Sequence, residues 1–360
     1  MTNLQVGIAG AGNIATSRHL PAYRNDDRVT LAAIYDTNVK KARSVGREYG
    51  IPSVSSFEEL CDRADLLSLC TPPSVHCEQA VTAMEAGCHV LTEKPMAMSI
   101  GEANQMIDTA EKTDRVLSVV HNFLFMKSMR EARNLVADGA VGDVVRTQAF
   151  LIKNEGQGKE YVRAAEEQGN AGIRFWDEAP HMMYLTRAFI GEMSLRNADA
   201  TAHSSGPGYR SVRARFDGEQ EALGGISFMW DAPLSEWWLV IFGDDGLLAV
   251  DIYRDLLLQF DAENEHSAIR VISLLLRGVG QATLGGFMAG VRYLRDRFVE
   301  GYRIPDAGFS YQIHRIVDAV LKDEVPPVTG TESREVLADM AIIGDATGMS
   351  LDLDSNTDTT

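Results

Sequence analysis

Apolar and polar positions along this chain fall into two regimes. Up to about residue 123, short continuous apolar runs alternate with stretches of helical periodicity. Leu4 to Ala9, Val29 to Tyr35, Leu66 to Cys70, His89 to Thr92 and Val116 to Val120 predict buried strands. A glycine-rich turn at Gly10 to Ala15 opens a helix running to about Tyr23. Val39 to Tyr49, Phe57 to Leu60, His76 to Ala86 and Glu102 to Lys112 predict further helices, with Gly87 as a C-cap. Strands alternating with helices give an α/β unit with a parallel, doubly wound sheet.

Beyond that point the pattern changes. Ser128 to Asp138 and Trp176 to Ile190 read as helices. Val144 to Lys153, Ser211 to Phe216, Ala222 to Trp230, Trp237 to Gly243, Leu247 to Ile252 and Leu256 to Phe260 read as strands. This series predicts an α+β domain with a large, mainly antiparallel sheet, one face open. Tyr311 to Lys322 and Thr331 to Met349 close the chain as helices. The expected division is residues 1–123, residues 124–350 and a polar acidic tail at 351–360.

One segment, 264–302, stands out. Leu284, Phe287, Met288, Val291, Leu294 and Phe298 follow helical spacing, while Arg292, Arg295, Asp296 and Arg297 fall mostly off that stripe. The expectation is an added helix packed on the sheet or a subunit contact; a lid over substrate is the alternative.

Composition narrows the function. The chain has 360 residues, 45% hydrophobic and 24% charged, which reads as globular and long enough for two domains. A net charge of −17 argues against nucleic-acid binding. Arginine far exceeds lysine, a balance that fits either a salt-adapted organism or a GC-rich genome. No signal peptide is visible, and the longest apolar run, Gly278 to Val291, is too short to span a bilayer, so a soluble cytoplasmic protein is expected. Cys61, Cys70, Cys77 and Cys88 show no metal or disulfide spacing, and no metal ligand cluster is seen.

Candidate chemistry begins at Gly10-Ala11-Gly12-Asn13-Ile14-Ala15, a GxGxxA pattern between a strand and a helix. Gly10 permits the tight turn and Gly12 lets backbone amides approach a pyrophosphate. Ala15 lets helix and strand pack closely. The helix start at Asn13 and Ile14 offers N–H groups to phosphate. Asp36 ends the second strand, where an acid accepts from adenosine ribose hydroxyls and repels a 2′-phosphate, which favours NAD. Lys40, Lys41 and Arg43 nearby keep NADP open, and Asp36 also reads as a surface acid at a strand end. Thr71-Pro72-Pro73 ends another strand at the same edge, as a nicotinamide wall or as a plain strand terminator. Glu93-Lys94-Pro95 ends a third. There the Lys94 ammonium can donate to a hydroxyl or carbonyl oxygen, although such a tripeptide also occurs as a surface turn.

With these blocks the sequence resembles the glucose–fructose oxidoreductase / inositol dehydrogenase / rhizopine-catabolism (Gfo/Idh/MocA) family. The resemblance runs through GIAGAGNIA, Asp36, TPPSVH at 71–76, AGCHVLTEKPMAMS at 86–99, HNFLFMKSMREARNLVADGAVGDV at 121–144 and WDEAPHMMYL at 176–185. It implies a Rossmann domain followed by an α+β domain whose open sheet carries substrate and subunit contacts, as a homodimer or homotetramer. It implies Lys94, His181 and Asp177 as catalytic residues. His181 would be the general acid/base, and Asp177, one helical turn away, would bind substrate or orient the imidazole. Gly10, Gly12, Asn13, Ile14, Asp36, Thr71, Pro72, His76, Glu93 and Lys94 would bind cofactor. Lys153, Asn122 and Tyr184 are further substrate candidates. Lys153 also reads as a solvated strand residue, and His121-Asn122 as a structural junction. Departures from the family pattern fall at Tyr184, where relatives often carry Asp, at Met126-Lys127-Ser128, and at the 264–302 segment.

The expected reaction is hydride transfer between nicotinamide and a secondary alcohol or ketone of a sugar, inositol or related polyol. The alternatives are a redox-neutral NAD-using sugar lyase or glycosidase, and a non-catalytic NAD or sugar sensor.

Overall fold

The computed structural model describes residues 3–154, 171–203, 208–261, 268–298, 306 and 308–349. The tail expected at 351–360 and the ends of the 264–302 segment lie outside them. Two compact units form, Met1–Phe125 with Arg292–Leu337 and Met126–Val291 with Ala338–Thr360. The main difference from the sequence's division is that Arg292–Leu337 groups with the first unit; the first boundary also falls two residues later.

The first unit holds β1 (Leu4–Ala9), β2 (Val29–Tyr35), β3 (Leu66–Leu69), β4 (His89–Thr92) and β5 (Leu117–Val119). They form a parallel sheet in the order β2-β1-β3-β4-β5. Both faces are covered, which is why β3 reads Leu-Leu-Ser-Leu with every residue buried. Helices α1 (Leu20–Arg24), α2 (Val39–Tyr49), α3 (Phe57–Cys61), α4 (His76–Glu85) and α5 (Ile100–Thr113) follow the strands. A π-helical turn, Ala15–His19, leads into α1. Asn38 caps α2 by accepting from the Lys41 amide, and left-handed Gly50 ends it. The core joins Val6, Ile8, Leu20, Ile34, Leu66 and Leu91 to Phe309, Ile313, Ile316 and Val317. That last row is the apolar face of a late helix, Phe309–Lys322, whose burial here ties the returning segment to this unit.

Register fixes where chemistry can sit. Ala9 pairs with Tyr35 on one side and Leu69 on the other, and Leu69 pairs with Thr92. Residues just beyond these four, Gly10, Asp36, Cys70-Thr71 and Glu93-Lys94, therefore share one carboxyl edge. Strand order reverses between β1 and β3, the switch point where such sheets bind ligands.

The second unit opens with α6 (Lys127–Ala137) and carries β6 (Val144–Ile152), β7 (Ser194–Ala202), β8 (Tyr209–Asp217), β9 (Leu223–Met229), β10 (Glu236–Gly243), β11 (Gly246–Asp251) and β12 (Leu256–Asp261). Their order is β12-β11-β10-β6-β9-β8-β7, antiparallel except for the β6–β9 pair. Helix α7 (Ile173–Ile190) packs on one face, with the Phe175 ring edge-on to Phe228 at 5.6 Å and Phe228 stacked on Trp230 at 5.2 Å. Gly224 makes room for it, since a Cβ there would meet Ile190 Cδ1 at 2.7 Å. Strand β7 was not expected from the sequence. Its run Ser-Leu-Arg-Asn-Ala-Asp-Ala-Thr-Ala buries no residue fully, because it lies at the sheet edge.

The added segment is one helix, α8 (Ala268–Phe298). Its apolar stripe is exposed: Leu284, Phe287 and Leu294 are 66%, 67% and 54% exposed. The stripe is therefore not what packs on the sheet, which removes one half of the expectation and leaves the subunit contact as a proposal. The side facing β12 presents Gly285 against Leu256, and the Gln281 side chain accepts from the Gln259 amide. Helices α9 (Phe309–Lys322) and α10 (Gly330–Thr347) complete the chain. Among the described residues, no helix is long and apolar enough to cross a membrane.

Candidate active site

At the carboxyl edge of the first unit, the glycine turn is held from two sides. Gly10 has φ +91°, and a Cβ there would lie 2.6 Å from the Cys70 carbonyl oxygen on the neighbouring strand. Only glycine fits. The opposite holds at Gly12, where a Cβ would meet no atom within 4 Å. The backbone is bare toward open space at the start of a helix, the arrangement a pyrophosphate requires. Asp36, the candidate ribose acid, accepts from the Ala11 amide at 2.7 Å and the Asn38 amide at 2.8 Å. Its carboxylate thus clamps the turn, and each oxygen keeps a second lone pair for a hydroxyl. Asn13 is exposed and Ile14 half-buried.

The neighbouring turns are cross-braced. Thr71 donates to the Gln79 side chain at 2.7 Å, and Pro72 is exposed. His76 is fully buried, its ring nitrogens 2.9 Å from the Thr71 carbonyl and 3.0 Å from the Pro95 carbonyl. Burial holds its pKa below the usual imidazole value. His76 therefore ties the turn after β3 to the turn after β4 rather than lining a cavity. Glu93 is also buried, bonded through Oε1 to His19 Nε2 at 2.7 Å, and its Oε2 accepts from the Lys94 amide at 3.3 Å. Lys94 itself is half-buried. Asn122, expected among substrate groups, is buried at the start of the 3-10 turn Asn122–Phe125. Beside it His121 Nε2 lies 3.1 Å from the Ser333 hydroxyl.

In the second unit, α7 sets a row of polar groups. Asp177 and His181 are half-buried, one turn apart, while Phe175, Trp176, Glu178 and Met182 around them are buried. The Tyr184 hydroxyl lies 2.7 Å from His181 Nδ1. Tyr184 is only 3% exposed. The His181 ring lies 5.6 Å from Trp237, whose other neighbour is Tyr253 at 6.0 Å. Burial raises the Tyr253 phenol to about 12, with the Glu178 and Glu236 carboxylates adding to the shift. Lys153 is not a solvated strand residue: its ammonium pairs closely with Glu178 Oε1, and Glu178 Oε2 accepts from the Trp230 indole at 2.7 Å.

His19, Glu178, Trp230, Trp237 and Tyr253 were not expected at these sites. Glu178 was in view, inside the WDEAPHMMYL block, but its partners Lys153 and Trp230 lie just past the ends of β6 and β9. Trp230 and Trp237 read as strand residues, Tyr253 fell just past a strand, and His19 read as one more helical position. Among the described residues, no group of three or more His, Cys, Asp or Glu is placed to hold a metal ion.

Residues 4–121 match the model of an oxidoreductase family with an NAD-binding Rossmann fold, Gfo/Idh/MocA, and residues 129–249 match the C-terminal domain of the same family. D-glucoside 3-dehydrogenase of Escherichia coli K12 is 33% identical over 201 residues, 55% of this chain and 57% of that protein. Glucose-6-phosphate 3-dehydrogenase of Bacillus subtilis 168 is 32% identical over 150 residues, 42% of this chain and 43% of that protein. The chain thus spans about half the length of the curated relatives it matches. A levoglucosan dehydrogenase solved with NADH and L-sorbose superimposes with a TM-score of 0.77 at 18% identity, covering 97% of each chain. That likeness establishes the shared fold.

Proposed function

The chain belongs to the Gfo/Idh/MocA oxidoreductase family, and within it we propose an NAD-dependent dehydrogenase or reductase. It moves a hydride to or from a carbon bearing a secondary alcohol or ketone in a sugar, inositol or related polyol. The observation that carries this reading is the shared sheet edge: the clamped Gly10–Ile14 turn at the switch point, and Lys94 on the turn after β4. Gly10, Gly12 and the helix start would hold the pyrophosphate. Asp36 would hold the ribose, and its charge favours NAD over NADP. The nicotinamide supplies or accepts the hydride.

This chain's residues supply the rest. Lys94 donates to the reacting oxygen and favours the charge that develops there. His181 takes or returns the hydroxyl proton, with Tyr184 holding its Nδ1 edge and Asp177 binding substrate beside it. The flat Trp237 and Tyr253 rings and the Lys153–Glu178 pair suit a polyhydroxylated ligand with both C–H and O–H faces. The relatives' names, dehydrogenases of a glucoside and a sugar phosphate, support this substrate class. A homodimer or homotetramer through the open face of the seven-stranded sheet completes the proposal, checked by light scattering.

The test is formation or loss of reduced nucleotide at 340 nm, with NAD and NADP, against sugars, inositols and sugar acids. Turnover with a polyol, lost in Lys94→Ala and His181→Ala, supports the reading. Tight NADH binding with chemistry on the sugar but no net nucleotide change replaces it with a redox-neutral reaction. Absence of nucleotide binding overturns it.

A further inference from the structure

Helix α8 carries an apolar seam for which the proposed reaction has no role. Leu284, Phe287, Val291 and Leu294 recur at steps of three, four and three, which sets them in one line along the helix. All four are exposed, and so is Met288 beside them. The helix packs through a different side, where Gly285 lies against Leu256 and Gln281 meets the Gln259 amide. Thr283, which flanks the seam, spends its hydroxyl on the Val279 carbonyl of its own helix at 2.6 Å. A Cβ at Gly280 or Gly290 would meet nothing within 4 Å. Glycine inside a helix is destabilising relative to alanine, yet here its bare backbone gives another helix a close approach.

Size and charge select what covers the seam. Side chains this large and this exposed leave about 500 Å² of apolar surface open in one strip, the upper end of what a monomer shows. Two such strips face to face bury about 1,000 Å², enough for a specific interface. The stretch Val279–Leu294 has no Asp, Glu or Lys and one Arg, in a chain of net charge −17. Two chains this acidic repel one another over most of their surface, and along this strip they meet without that cost. A bilayer fits less well. Its surface is itself anionic, and this stretch lacks the row of Lys and Arg that anchors an interfacial helix. A strip with a step of three and four residues is matched best by another helix with the same step, and this chain supplies one.

We propose that the exposed seam of α8 is an interface between two copies of this chain, helix against helix across a two-fold axis. Run antiparallel about a point between Phe287 and Val291, the seam sets Leu284 opposite Leu294 of the partner subunit and Phe287 opposite Val291 of the partner subunit. This direction aligns the helix dipoles head to tail and keeps the two copies of Arg295 apart. The surface consists of helix side chains, not of the sheet face offered above for assembly. It also stands whether or not the chain is a dehydrogenase.

The experiment compares the full-length wild type with the double variants Phe287→Glu/Leu294→Glu and Leu284→Ala/Phe287→Ala. Mass is read by sedimentation equilibrium over a range of protein and KCl concentrations. Membrane binding is read by flotation with vesicles of phosphatidylcholine and phosphatidylglycerol. The wild type is expected at twice the mass of the glutamate variant, whose pairing should be at least about a hundredfold weaker. The alanine variant, which removes area without adding charge, should pair about tenfold more weakly than wild type. Added KCl should tighten the wild-type pair, since it screens the repulsion between acidic chains. If the sheet face also joins chains, the glutamate variant stops at half the wild-type mass instead of at the monomer, and the same twofold ratio supports the interface. Equal masses for the wild type and both variants overturn it. So does a wild type that floats with the vesicles while sedimenting as the variants do, which gives the seam to a bilayer. A wild-type pair that separates as KCl rises also overturns it. If the glutamate variant does not fold, judged by urea unfolding, the alanine variant decides. Turnover at 340 nm is a separate measurement, so failure of the dehydrogenase reading leaves this comparison standing.

Discussion

The Tyr184 hydroxyl stands 2.7 Å from Nδ1 of His181, three residues back on the same helix. It holds one edge of the imidazole. The partner is a neutral phenol, so this contact adds no negative charge to stabilise an imidazolium. Tyr184→Phe keeps the ring and its packing but frees the imidazole. Turnover should fall by about tenfold, while the melting temperature moves little. Tyr184→Glu should move the acidic limb of the kcat profile to higher pH. Rates at 340 nm from pH 5 to 9 decide; a Tyr184→Phe enzyme with wild-type kcat would remove this role.

The two glycines of the nucleotide turn should fail in different ways. Gly10→Ala forces a Cβ to 2.6 Å from a carbonyl oxygen at a positive φ. It should destabilise the first unit by about 2 kcal/mol or more. Gly12→Ala meets nothing in the protein, so its urea unfolding curve should overlay the wild type while NADH affinity drops at least about tenfold. A stable Gly12→Ala protein with unchanged NADH binding contradicts the placement of the pyrophosphate.

Glu178 ties three elements together. Glu178→Ala leaves the Trp230 indole N–H and the Lys153 ammonium without their shared acceptor, in a site where Lys153 is 27% exposed and Glu178 9%. About 2 kcal/mol of stability should be lost, less than for a wholly buried pair because water still reaches Lys153. Glu178→Gln, which retains a carbonyl acceptor, should lose less. Denaturant melts of the two variants test the ordering; equal stability for all three proteins would refute it.

Two buried histidines set opposite pH limits. Burial pushes His121 down to about 3. An unfolded imidazole takes a proton near pH 6.5, one that the folded ring refuses until about 3. Stability is therefore lost as pH falls through that interval. At His19 burial also lowers the pKa, but the Cys70 sulfur and the Glu93 carboxylate outweigh it and raise it to about 10. Its contribution is complete below about pH 6.5 and fades as pH rises toward 10. Glu93, held low by the same partner against its own desolvation, adds to the loss on the acid side. The melting temperature should peak near neutrality. In His121→Asn the acid limb should flatten, and a melting temperature that keeps rising to pH 4 would contradict the assignment.

Much of this was legible in the sequence. Leu4–Ala9 and His89–Thr92 stand out because strands buried on both faces are continuous apolar runs between glycines and prolines. The polar edge strand Ser194–Ala202 has no such signal, since neither of its faces is deeply covered. Candidate residues were legible by type and not by partner. Asp36 promised a ribose acid, yet it also clamps Ala11, 25 residues away. Lys153 looked solvated because its partner Glu178 lies on another element. The stripe on α8 was correctly spaced, but periodicity says which residues share a face and not which way that face turns.

The parallel pairing of β6 with β9 carries a consequence for how the second unit comes into being. Strand β6 has β9 on one side and β10 on the other. Its partners for Arg146 and Ile152 are Leu223 and Met229, and Glu236 closes the opposite side. Neither ladder can start until the chain has run through α7, β7 and β8. Contacts this distant in sequence pay their loop-closure entropy before any reward, so this sheet should assemble late, after the local βαβ units of the first. During synthesis β6 waits with both edges bare, and Thr147, Ala149 and Leu151, buried at the end, are for that interval open to a chaperone or to a neighbouring chain.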